Sequence, residues 1–147
     1  FLDRKLRIVN ENTDNLKDWM DAAVTAYQTS KAYEWQGDNL LLARESLLYT
    51  FIDNYEFKFG ERPDREHVKE IAFIISWNVW QMDGLKGVIP NSCHDVETRN
   101  LYGEVERTPC PGCKTKNIHK HNGIPVLLKV FSSGNTYPYH LLYNKNE

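Results

Sequence analysis

The chain has 147 residues and a mass of 17.2 kDa, with 41% hydrophobic, 12% aromatic and 26% charged residues. That is about one ordinary domain, with too much apolar material for disorder. The net charge of −2 conceals a division: residues 1–85 carry 10 basic and 15 acidic groups, and residues 86–147 carry 8 and 5. The whole is therefore no general polyanion binder, although its C-terminal part can face one. The longest apolar runs, 40–43 and 71–75, are far shorter than a membrane span. No charged-then-apolar leader follows Phe1, so the expectation is a cytoplasmic protein without a membrane partner, cut from something longer.

Leu2, Leu6 and Val9 recur at helical spacing and predict an amphipathic helix over 1–10. Thr13 and Asp14 are N-cap candidates for a second helix with the stripe Leu16, Trp19, Met20, Ala23, Val24 and Tyr27. Residues 32–36 break that period, carry aromatics and predict a strand. Gly37 turns the chain, Asp38 or Asn39 caps a third helix, and Gly60 ends it. Its stripe is Leu41, Leu48, Phe51, Ile52, Tyr55 and Phe59. Pro63 and Asp64 start a fourth helix whose apolar face is Val68, Ile71, Ala72 and Ile75. Residues 78–82 read as a second strand, closed by Asp83-Gly84. Trp35, Trp77 and Trp80 are expected in the core rather than as base-stacking platforms.

Strands alternating with helices predict parallel pairing in an α/β layer. A lone strand pair is barely stable, so further strands are expected elsewhere. Residues 86–123 hold seven glycines and prolines and little apolar periodicity. An irregular segment of that length calls for an explanation such as metal cross-linking. Residues 124–131 and 137–143 then predict two strands around a turn at 132–135. The expected fold class is α/β: a partial Rossmann-like parallel sheet with helices over 1–85, then, over 86–147, an irregular zinc-stabilised segment and a C-terminal β-hairpin.

The segment's cysteines carry the first chemical signal. Cys110-Pro111-Gly112-Cys113 is a knuckle whose tight turn lets two thiolates meet one ion, and Cys93 supplies a third. The fourth zinc ligand is His119, His121 or His94; His119 is the working choice, and sequence does not separate the three. Arg107, Lys114, Lys116 and Lys120 surround the knuckle with no acid from Arg107 to Asn122, a pattern suited to a nucleic-acid backbone. Glu34 and Asp83 lie at or near strand ends, where ligands of open α/β sheets bind and where a carboxylate can accept ribose or adenine hydrogens. The plainer reading is that each acid organises its own turn.

Three stretches together resemble a known family: Phe1-Leu2-Asp3-Arg4-Lys5-Leu6; Tyr33-Glu34-Trp35-Gln36-Gly37-Asp38-Asn39 running into Ala43-Arg44-Glu45; and Asn78-Val79-Trp80-Gln81-Met82-Asp83-Gly84-Leu85. They look like adenine-specific DNA methyltransferases of restriction–modification systems, over residues 1–85. The resemblance implies an S-adenosylmethionine site with Glu34 on the ribose, Asp83 on the adenine and Trp35 beside them. It also implies DNA as partner of the full-length protein, together with the parts of the methyltransferase absent here. The stretch from Ile89 through the cysteine knuckle to Gly123 resembles an insertion in some members. No Gly-x-Gly and no Asn/Asp-Pro-Pro-Tyr/Phe occurs in the chain, so the expectation is a middle section without catalytic residues, inactive by itself. The alternative is a small zinc-stabilised module that binds nucleic acid or protein and catalyses nothing.

Overall fold

The computed structural model describes residues 1–142. The chain forms two compact units, Phe1–Trp80 and Gln81–Glu147. The expected boundary at residue 85 moves five residues earlier, for a local reason: Asp83 bridges Val88, Val88 bridges Pro125, and the Val126 N–H bonds the Gly87 carbonyl. Those contacts tie residues 83–88 to the C-terminal unit. Among the described residues no helix is long and apolar enough to cross a membrane.

In the first unit, α1 (Leu2–Asn12) packs on α2 (Leu16–Gln28) and α3 (Gly37–Phe59), and α4 (Arg65–Asn78) packs on α2 and α3. Asn15, not Thr13 or Asp14, caps α2, its side chain accepting from the Asp18 N–H; Asp64 caps α4 through the His67 N–H. Trp19 is the fully buried hub: its ring meets Phe51, Tyr55 and Phe59 at 5.7, 5.4 and 5.6 Å between centroids. The α3 stripe is narrower than its sequence suggests. Phe51, Tyr55 and Asn54 are buried, whereas Leu41 is exposed.

Strands β1 (Ala32–Glu34) and β2 (Val79–Gln81) form a two-stranded parallel sheet. Two side chains fix where these strands start. Buried Asn78 donates to the Tyr27 and Gln28 carbonyls at the end of α2, and Arg44 donates to the carbonyls of Ser76 and Val79 at the end of α4. These contacts tie the C-terminal ends of α2 and α4 to the residues that lead into the strands. The α/β alternation is thus present, but the wider parallel sheet of a Rossmann-like layer is represented by this one pair. Trp35, expected in the core, lies just past β1 and is 47% exposed; Trp77 and Trp80 are half-buried against each other.

The second unit has two hairpins and short helical turns. Strands β3 (Val96–Arg99) and β4 (Val105–Thr108) pair antiparallel, with Glu97 opposite Arg107. This hairpin falls inside the stretch expected to be irregular. Helix α5 (Pro111–Thr115) and a 3-10 turn at Ile118–Lys120 follow. Strands β5 (Leu127–Lys129) and β6 (Thr136–Pro138) make the expected C-terminal hairpin around Gly134, whose φ of 71° suits glycine. Both strands are shorter than expected: Pro125 precedes β5, and Pro138 ends β6 before a 3-10 turn at Tyr139–Leu142. Tyr143, the expected end of the last strand, lies outside the described residues. Val88, Val126, Leu128, Met82 and Cys110 are buried.

Candidate metal centre

Three segments of the second unit converge on one point. Cys93 comes from the turn before β3, Cys110 and Cys113 flank the first turn of α5, and His121 follows the 3-10 turn. Their four ligand atoms lie within 4.8 Å of one another. His121 Nδ1 stands 3.6 Å from Cys93 Sγ and 3.7 Å from each of Cys110 Sγ and Cys113 Sγ. A tetrahedron with metal–sulfur bonds of about 2.3 Å and a metal–nitrogen bond of about 2.05 Å has sulfur–nitrogen edges of about 3.6 Å. The four side chains therefore have the spacing to hold one metal ion.

His121, not His119, joins the sulfurs. The working choice of ligand is corrected by the 3-10 turn, which sends side chains two residues apart in different directions. His119 instead meets the His140 ring edge-on at 5.7 Å, and both its ring nitrogens are buried without a hydrogen-bond partner among the described residues. His94 contributes its backbone, which is clamped by Asn122: the Asn122 Oδ1 accepts from the His94 N–H, and Nδ2 donates to the His94 carbonyl.

The surrounding residues explain the convergence. A Cβ on Gly112 would lie 2.5 Å from His121 Cγ and backbone nitrogen, and one on Gly123 would lie 3.1 Å from Cys93 Sγ. Both positions need glycine for close approach rather than for an unusual φ. The Asn122 N–H points at Cys110 Sγ over 3.4 Å, and Ser92 Oγ accepts from Ile124. Such outer contacts hold ligands in place before any ion arrives. Gly112 is expected from the sequence as part of the knuckle's tight turn, whereas its close approach to His121, and the parts played by Asn122 and Gly123, carry no sequence signal.

The thiols are electrically unequal. Burial raises the Cys110 pKa, but hydrogen bonds from the Asn122 and Cys113 backbones, the His121 side chain and the Gly112 backbone outweigh it, bringing it down to about 6. Burial, and then hydrogen bonds to and repulsion from the other two sulfurs, push Cys93 up to about 11. One thiolate forms readily and the next is resisted, a repulsion that a cation at the centre relieves. Lys86 adds a further charge: burial works against its ammonium, yet the bond to Asp83 and the fields of Cys113 and Cys93 raise its pKa.

The remaining candidates sit as follows. Arg107 is held by Glu97 at 2.7 Å on the β3–β4 hairpin. Lys114, Lys116 and Lys120 are exposed on α5 and the turn after it. Glu34 ends β1, and its Oε1 accepts from the Gln36 N–H. Asp83 is buried, with Oδ1 accepting from the Leu85 N–H and Oδ2 paired to Lys86 at 3.4 Å. Both acids thus do the turn-building work of the plainer reading. No family model matches the chain, and no curated protein or solved structure matches it.

Proposed function

We propose that the chain is a zinc-stabilised section of an S-adenosylmethionine-dependent, adenine-specific DNA methyltransferase, not catalytic on its own. The observation that carries the zinc-stabilised part of this reading is the meeting of Cys93, Cys110, Cys113 and His121, with the three sulfurs 3.6, 3.7 and 3.7 Å from the imidazole nitrogen. Three thiolates and one imidazole without a carboxylate are a soft donor set that selects zinc among common divalent ions. With all four positions filled by protein, such an ion is structural and has no open site for chemistry. It would replace the apolar core that residues 86–123 lack.

The methyltransferase part is supported by the parallel β1–β2 pair with α3 and α4 between its strands, and by Glu34 at the carboxyl end of β1. A ribose would meet Glu34 beside the exposed Trp35. Adenine recognition by Asp83 fits less well, because both its carboxylate oxygens are engaged. No Gly-x-Gly is present for the amino-acid end of the cofactor and no Pro-Pro motif for the target base, so no transfer step is derived for this chain. The alternative, a zinc-stabilised binding module unrelated to any cofactor, is favoured by the engagement of Asp83.

Two measurements test these readings. The purified chain should bind one zinc ion per molecule; a chain that takes up none would overturn the zinc-stabilised reading. S-adenosylhomocysteine titrated by NMR should bind at millimolar strength or weaker, as two charge-assisted hydrogen bonds less the cost of immobilising a ligand allow. Glu34→Ala should abolish that binding. Zinc uptake with no Glu34-dependent binding would leave the module alone standing.

A further inference from the structure

From Arg107 to Leu142 the chain carries five basic residues and no acid. The acids of the second unit's described residues all precede that stretch: Asp83, Asp95, Glu97, Glu104 and Glu106. The structure sorts the cations further. Arg107 is paired with Glu97 on the exposed hairpin, and Lys129 donates to the Gly134 carbonyl. Lys114, Lys116 and Lys120 are exposed and enter no ion pair among the described residues.

These three lysines ride on one short loop whose ends, Cys110 and His121, are both metal-ligand candidates. Within it, the Lys114 N–H bonds the Cys110 carbonyl, the Asn117 N–H bonds the Gly112 carbonyl, and the Lys120 N–H bonds the Asn117 carbonyl. Closing both ends on one ion would fix the backbone from which the three lysines project, which is what separates a built contact from a solvated charged loop.

We infer that Lys114, Lys116 and Lys120, held by the closed 110–121 loop, form a sequence-independent contact for the phosphodiester backbone of a nucleic acid. The inference rests on the zinc reading and not on the cofactor reading. It excludes Arg107, which sequence alone places in the same patch. Lysine ammoniums bind phosphate as point charges and carry no base information, so the contact positions a strand without reading it.

The test uses the full chain loaded with zinc and fluorescein-labelled DNA of mixed sequence, as a 20-base-pair duplex and as the single strand. Three phosphate contacts give a slope of about −2.7 for log affinity against log salt on duplex and about −2.1 on single strand. Duplex affinity should therefore fall about 40-fold between 50 and 200 mM salt. The triple variant K114Q/K116Q/K120Q should lose most of the slope and at least tenfold in affinity, while Arg107→Gln should stay within twofold. Chelation of zinc should weaken binding as the triple variant does. Wild-type affinity in the triple variant, equal competition by poly-aspartate, or DNA binding indifferent to chelation would each overturn the inference. A chain that takes up no zinc at all would instead sink the zinc reading, a separate result read by metal analysis.

Discussion

Gly112→Ala is the sharpest perturbation of the metal centre, because local and tertiary effects oppose each other. Gly112 lies inside α5 without a positive φ, so alanine is compatible with its backbone and gains about 1 kcal/mol in helix propensity. A metal-free chain judged by propensity would be stabilised. The added methyl, however, would lie 2.5 Å from both Cγ and the backbone nitrogen of His121. Ordinary carbon contacts need about 3.5–4.0 Å, so His121 must retreat by about 1 Å. Overpacking of this kind costs about 1–3 kcal/mol. A metal–nitrogen bond tolerates far less than 1 Å of displacement, so the strain falls on the metal-bound state. Zinc affinity should drop about 5- to 150-fold, the same 1–3 kcal/mol expressed as a ratio. Competition against a chromophoric zinc chelator gives the affinity, and the absorption of the cobalt(II)-substituted protein reports whether nitrogen is still a ligand. Wild-type affinity with an unchanged cobalt spectrum would refute the close approach on which the site is built.

Three more outcomes are expected. His121→Ala should weaken zinc by about 100-fold or more, with His119→Ala within threefold; since structural zinc supplies about 10–16 kcal/mol through four ligands, equal losses in the two variants would contradict the ligand set. Zinc uptake at pH 7 should release at least one proton, because the Cys93 thiol at about 11 is still protonated there and must ionise to bind; affinity should therefore fall with acidification, and calorimetry in two buffers of different ionisation heat measures the proton count. Burial raises the Tyr27 pKa far above 10.0, and its hydroxyl donates to the Leu47 carbonyl. The folded form holds that proton after the unfolded form has lost it, so this contribution is complete below pH 10 and is lost as pH rises beyond it. Loss of helical circular dichroism should accompany ionisation of Tyr27, followed through its own ring NMR signals; an ionised Tyr27 near pH 10 with the helices intact would contradict it.

Helices α1 to α4 were legible because each buries one stripe against its neighbours, and burial at a period of 3.6 residues is written directly into residue order. Even so, the α3 stripe expected from the sequence is wider than the buried one. Leu41 is as apolar as Leu48, and only the packing shows that it faces solvent. The β3–β4 hairpin was illegible for the opposite reason. Both its faces are largely exposed, so no alternation marks it, and its register rests on pairs such as Glu97 with Arg107 that carry no periodic signal. The three cysteines could be read as ligands from their chemistry alone. Choosing among three histidines needed the direction of a single 3-10 turn, and the pairing of Arg107 needed its partner across a strand. Both are facts of three-dimensional placement.

Cys93 and Cys110 stand on either side of the β3–β4 hairpin, one just before its first strand and one just after its second. Everything between them leaves and returns to the same cluster of ligand side chains. The hairpin tip, with Leu101 and Tyr102 fully exposed, contributes little to the buried interior. A segment anchored in this way is free to change in length and sequence at small cost, since doubling a closed loop adds only about 0.6 kcal/mol of closure entropy. The Cys/His cluster is therefore also a grafting point. A binding peptide or a second hairpin placed between residues 95 and 109 should be carried without disturbing the lysine loop on the other side of the cluster.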